Sequence, residues 1–204
     1  MKILKTQSGF SLVETLVAIT ILLIVISGPL AISSSAAKSS SFSSEQVVAF
    51  FLAQEGIELV EKARDDLLLQ HYRVPSTNAD PWANFTSTTL AGRYRNCHTT
   101  INPSGCDFTI SSTGTGILTL TNCAASATAC LLYLEKTTTS IRSRYTHTAS
   151  LTTVTTPYTR VITFTLVNAD ELKVVSKVTW RTGAFKQQQE ASVESTFFNV
   201  YGTK

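Results

Sequence analysis

The chain has 204 residues, with 17 Lys and Arg against 14 Asp and Glu and a formal net charge of +3. That length holds about one domain of ordinary size, and a second is not expected. So small a charge argues against a broad polyanion-binding surface, and four cysteines without paired Cys-x-x-Cys spacing argue against a zinc site.

At the N-terminus, Lys2 and Lys5 precede Gly9-Phe10-Ser11-Leu12-Val13-Glu14 and an almost uninterrupted apolar run. From Phe10 to Ile32 the chain is about as long as the roughly 20 helical residues that cross a hydrocarbon core. With basic residues before the run and no such cluster close behind it, the N-terminus is expected in the cytoplasm and the remainder outside. A secretory signal peptide would be cut after its apolar run, at a small-residue site. Glu14 is the anomaly, because an ionisable group inside an apolar span costs about 2.5 to 3.5 kcal/mol near the bilayer centre and calls for a partner.

The motif Gly9-Phe10-Ser11-Leu12-Val13-Glu14 resembles that of the type IV pilins and the pilin-like proteins of type II secretion and DNA uptake. The resemblance implies cleavage between Gly9 and Phe10 by a prepilin peptidase, N-methylation of Phe10, and pairing of the Glu14 carboxylate with a neighbouring subunit's N-terminal amine during assembly. The partners it implies are other pilin subunits, the peptidase, an inner-membrane assembly platform and membrane lipid. It places the chain as a single-pass inner-membrane protein before assembly and in an extracellular filament afterwards. Taking Lys2 and Lys5 away with the leader leaves 15 of the 17 basic residues against 14 acidic ones. The alternative is a signal-anchored surface module that binds a surface ligand, carbohydrate or DNA.

The expected organisation is a leader at 1–9, a transmembrane and assembly helix at 10–32, an extended amphipathic helix at 33–72 and an extracytoplasmic β-rich domain at 73–204. Ser27-Gly28-Pro29 is expected to interrupt the helix with a kink or a locally extended segment, since proline lacks the backbone donor and crowds the preceding turn. Residues 33–44, mostly serine and alanine, have no apolar face and read by themselves as a linker; the resemblance makes them the middle of one long helix. From Glu45 to Leu69, Val47, Phe50, Phe51, Ile57, Val60 and Leu67 form an apolar stripe that should face a sheet. Glu55, Glu58, Glu61, Lys62 and Asp65 should meet solvent or other subunits. Residues 51–58 also resemble the segment that follows the membrane helix in some minor pilins, and Gly56 reads as a point of close packing.

Pro75 to Pro81 is turn chemistry, with Trp82 and Phe85 anchoring the loop on the core. Leu90 to Thr156 reads as a strand-and-loop insertion held by disulfides among Cys97, Cys106, Cys123 and Cys130. Short loops favour Cys97 with Cys106 and Cys123 with Cys130; the other two connectivities stay open. Tyr158 to Val167 and Glu171 to Arg181 alternate as a hairpin turning at Asn168-Ala169-Asp170, and a third strand covers about Glu190 to Tyr201. The fold class is therefore α+β, a long N-terminal helix packed on a C-terminal antiparallel sheet with a disulfide-bearing insertion.

No nucleophile with its base, carboxylate pair, metal cluster or glycine-rich phosphate loop stands out, so neither catalysis nor a metal or cofactor is expected. His71, His98 and His147 are scattered and read as surface residues. Arg93-Tyr94-Arg95 and Arg142-Ser143-Arg144-Tyr145 are the best nucleic-acid contact candidates, set against the plainer reading of a strand with exposed arginines.

Overall fold

The computed structural model describes residues 9, 11–74, 80–110, 116–136, 144–181 and 188–200, which leaves Phe10 and Arg142 outside the described residues. The chain separates into two units, Met1–Ser44 and Glu45–Lys204, although one helix, α1 (Leu12–Arg73), contributes to both.

In the first unit the helix exposes its apolar side chains from Leu12 to Ile32. Its hydroxyls turn back on its own backbone: Thr15, Thr20 and Ser27 donate to the carbonyls of Leu12, Val17 and Ile24 at 2.8, 2.8 and 2.9 Å. Polar groups satisfied inside the helix need nothing from the surroundings, which is the condition for a segment in hydrocarbon. Of the two forms of interruption expected at Ser27-Gly28-Pro29, a locally extended segment is absent, since Pro29 lies inside the helix. Pro29 lacks its own donor to the carbonyl four residues back, a loss that a helix can absorb. The Ser/Ala segment is helical as well, not a linker.

In the second unit the helix buries Ala49, Leu52, Ala53, Gly56, Ile57, Leu59, Val60 and Ala63. This corrects the expected stripe. Ile57 and Val60 do face inward and Leu67 packs half-buried against the core, but Val47, Phe50 and Phe51 are 54%, 49% and 62% exposed. The inward face mixes large residues with Ala49, Ala53, Gly56 and Ala63, which permit close approach. A Cβ on Gly56 would lie 2.3 Å from Ser176 Oγ and 3.2 Å from Arg160 Cδ, so small residues let the backbone come down on the sheet.

Seven described strands form one antiparallel sheet: β1 (Cys106–Ile110), β2 (Leu118–Asn122), β3 (Leu131–Glu135), β4 (Arg144–Thr146), β5 (Thr153–Asn168), β6 (Glu171–Arg181) and β7 (Gln188–Phe198). The β5-β6-β7 meander follows the alternation in the sequence. Leu172, Val174, Ser176, Val178 and Trp180 are all buried while their neighbours face outward. An Asx turn, with Asp170 N donating to Asn168 Oδ1 at 2.9 Å, closes the first hairpin.

The long β5 forks the sheet. One edge pairs with β6; the other pairs with β3 over its first half and meets β1 at Ile162, opposite Cys106. The segment expected to be an insertion therefore supplies four strands of the same sheet. Gly105, at φ +67°, makes the entry into β1 beneath the Ile162 carbonyl, where a Cβ would stand 2.6 Å from that oxygen. The disulfides are Cys97–Cys106 and Cys123–Cys130, spanning nine and seven residues.

Trp82 and Phe85, on the short helix α2 (Pro81–Thr86), anchor their loop as expected. Trp82 Nε1 donates to Ala169 O at 2.7 Å. Phe85 is fully buried, its ring 5.5 to 6.1 Å from those of Trp82, Tyr94, Phe164 and Phe197. This aromatic hub sits between α2 and the sheet, and pairs at such spacings add about 0.5 to 1.5 kcal/mol beyond burial.

Candidate functional site

Two regions carry chemistry, one in each unit. In the first, Ser11 opens the helix, its carbonyl accepting from Glu14 N at 3.0 Å and Thr15 N at 3.2 Å. Glu14 therefore lies in the first turn, where the exposed N–H groups favour a carboxylate by roughly 0.3 to 1 kcal/mol. Among the described residues no basic group comes within ion-pair distance of it. The helix behind it is long and apolar enough to cross a membrane, and none of its most apolar stretch is buried by the chain itself. Gly9 is exposed. A carboxylate at the mouth of an unshielded apolar rod is thus the unit's distinctive feature, and among the described residues nothing covers the rod or pairs with the carboxylate.

In the second unit four ionisable side chains from four places in the chain converge in the interior. Arg160 on β5 is 1% exposed. Its Nε donates to Asp107 Oδ1 and Oδ2 at 2.8 and 3.0 Å, Nη1 to Leu52 O at 3.1 Å and Glu55 Oε2 at 2.8 Å, and Nη2 to Phe108 O at 2.7 Å. The guanidinium has five N–H groups and no acceptor, so this fork joins helix, β1 and β5 through one group. Burial alone would depress its pKa, but Asp107 and then Glu55 outweigh it and raise it.

Asp107, fully buried, also accepts from Phe108 N at 2.8 Å. His147 completes the cluster, with Nε2 at 2.8 Å from Asp107 Oδ2 and Nδ1 at 3.0 Å from Leu131 O. Both ring nitrogens thus face oxygens. Such a cluster fixes position more than it adds net stability, since desolvating charges offsets most of their attraction.

Several sequence-based expectations are corrected here. Glu55 lies partly on the helix's solvated face but reaches in to Arg160. His147's side chain is only 7% exposed. His98 is 2% exposed, edge-on to Phe164 at 5.5 Å, with burial lowering its pKa. Arg160 and Asp107 were missed altogether. For Arg160 the signal was a charge on the inward face of a strand, shared with Ile162 and Phe164; Asp107 carried none, since β1 is buried at consecutive positions from Cys106 to Thr109.

Of the arginines considered for DNA, Arg93, Arg95 and Arg144 lie among the described residues. Tyr94 is buried against Phe85 and Phe108, so it offers no open ring; Arg93 lies over it at 5.7 Å. Arg95 belongs to the 3₁₀ turn Arg95–Cys97, and Arg144 pairs with Glu135 at 2.5 Å.

Residues 4–28 match the family model described as the prokaryotic N-terminal methylation motif, the type IV prepilin-like motif. No curated protein and no solved structure matches the chain.

Proposed function

We propose that the chain is a structural, non-enzymatic subunit of a type IV pilus or related filament, a minor-pilin-like protein cut after Gly9, methylated on Phe10 and assembled through its N-terminal helix. The carrying observation is the methylation motif at 4–28 continuing directly into an apolar helix that its own chain leaves uncovered. Lipid covers that helix in the free subunit, with the N-terminus on the cytoplasmic side, and the helices of other subunits cover it in the filament. Glu14 supports the same reading. Buried in either setting it requires a positive partner, and the new amino terminus of a neighbouring subunit has that charge. The four-group cluster in the second unit would keep the outer domain fixed on its own helix during that transfer.

The test is the intact mass and N-terminal peptide of the protein extracted from membranes of its own host. The expected species begins at methylated Phe10. A chain retaining residues 1–9 would overturn the proposal and leave a signal-anchored surface domain.

A further inference from the structure

The fork in the sheet creates a second feature, independent of how the N-terminus is processed. The β1-β2 and β3-β4 hairpins hang from the same edge of β5 on separate stretches, and between them lies a cleft of about 220 Å³. Its walls are almost entirely hydroxyl-bearing. Thr109 and Thr119, directly opposite each other in the β1-β2 ladder, line one side, and Thr146, Thr148 and Thr153 line the other with Glu135.

We infer that this cleft is a binding site for a neutral polyhydroxylated ligand, a single pyranose unit presented free or at the end of a glycan. Three observations carry this. Hydroxyls donate one hydrogen bond and accept two, so a wall of them matches a ligand whose own groups do the same and whose orientation varies from carbon to carbon. Thr109 is only 6% exposed, yet its hydroxyl bonds to no described protein group, so a buried strand position spends its polar atom on the cleft. Glu135 adds a carboxylate able to accept from adjacent sugar hydroxyls, and because Arg144 Nε sits 2.5 Å from it, the lining carries no net charge to select an ion. Ile110, 40% exposed at the edge, offers an apolar surface for the C–H face of the ring. The volume lies below the roughly 300 Å³ at which drug-sized pockets begin, which limits the ligand to about one ring.

The experiment is saturation-transfer NMR and calorimetric titration of the full chain in a detergent without a sugar headgroup. The probes are methyl hexopyranosides, methyl N-acetylhexosaminides and, as the charged comparison, methyl hexopyranosiduronic acids, raised to roughly ten times a millimolar Kd. At least one is expected to saturate. Thr109→Val and Thr119→Val, which keep the β-branched shape, should each weaken it about three- to tenfold, the loss of one hydrogen bond. Thr196→Val, on β7 and away from the cleft, should leave it unchanged. Thr119→Val is the exposed site and keeps the test usable should the buried substitution unfold the chain. Absence of saturation by every probe, superimposable titrations for the cleft variants and the parent, or preference for a charged sugar over all the neutral ones would each overturn the assignment.

Discussion

Replacing Arg160 by methionine keeps most of the side-chain volume and removes the guanidinium. Asp107, fully buried, then loses the donor that lies 2.8 and 3.0 Å from its two oxygens, and keeps only Phe108 N and His147. The carbonyls of Leu52 and Phe108 lose their donor as well. Stranding one half of a buried ion pair costs about 3 to 5 kcal/mol. The exposed side of the cluster adds little, since Glu55 is 40% exposed and water can replace the arginine there. Taking about 4 kcal/mol, and roughly 2 to 4 °C per kcal/mol for a domain of this size, the melting temperature should fall by about 8 to 16 °C. The assay is thermal unfolding of the purified chain followed by circular dichroism and calorimetry. Arg160→Met combined with Asp107→Asn removes the stranded charge together with its partner, and should recover at least half of the loss. A fall of less than about 1 kcal/mol in the single variant, or a double variant no more stable than the single, would refute the view that a charge is stranded.

Gly56→Ala should destabilise by about 1 to 3 kcal/mol despite alanine's better helix propensity, because the new methyl meets Ser176 Oγ; adding Ser176→Ala should restore most of it in the same unfolding assay. Burial holds His98 below the ordinary imidazole pKa, so the unfolded chain takes up the proton first as pH falls through about 6.5. The stability this neutral ring contributes is complete above that value and declines below it. His98→Phe should therefore flatten the loss between neutral pH and about 5, and parallel stability curves for variant and parent would contradict this. Glu14→Ala removes a charge that opposes membrane insertion, by less than the about 2.5 to 3.5 kcal/mol of a bilayer-centre position because Glu14 lies in the first turn. The variant should stay in the membrane fraction at least as well as the parent while disappearing from sheared filaments, and filament content equal to the parent's would count against the pairing role.

What could be read from the sequence follows from which residues carry their position in their type. In β6 the alternation of Leu172, Val174, Ser176, Val178 and Trp180 with charged neighbours fixed strand, face and hairpin partner together. The motif around Gly9 and Glu14 was equally plain, because its elements stand in a fixed order. On the helix the same logic misled. Phe50 and Phe51 are large and apolar but point away, while Ala49, Ala53, Gly56 and Ala63 make the contact. Periodicity weighted by bulk cannot detect the small residues of a face that mixes them with Leu52, Ile57, Leu59 and Val60. Arg160 and Asp107 stayed hidden for a related reason: charges are normally read as solvent-facing, and only a partner more than fifty positions away reverses that reading. The fork was illegible too, since nothing in the short strands of residues 106–146 states that they pair with a strand still to come.

That last point bears on how the chain folds. β5 is the shared partner of both hairpins, yet it follows them in the chain, so in the proposed export, N-terminus first, β1 to β4 exist for a time with only each other to pair with. β5, β6 and β7, by contrast, are joined by short connections and pair in sequence, which is the arrangement that forms fastest. The meander should thus come last in order of export but first in order of structure, and the earlier hairpins should join it by docking onto an edge already made. During that interval the cysteine loops of nine and seven residues are closures the waiting segment can complete without β5.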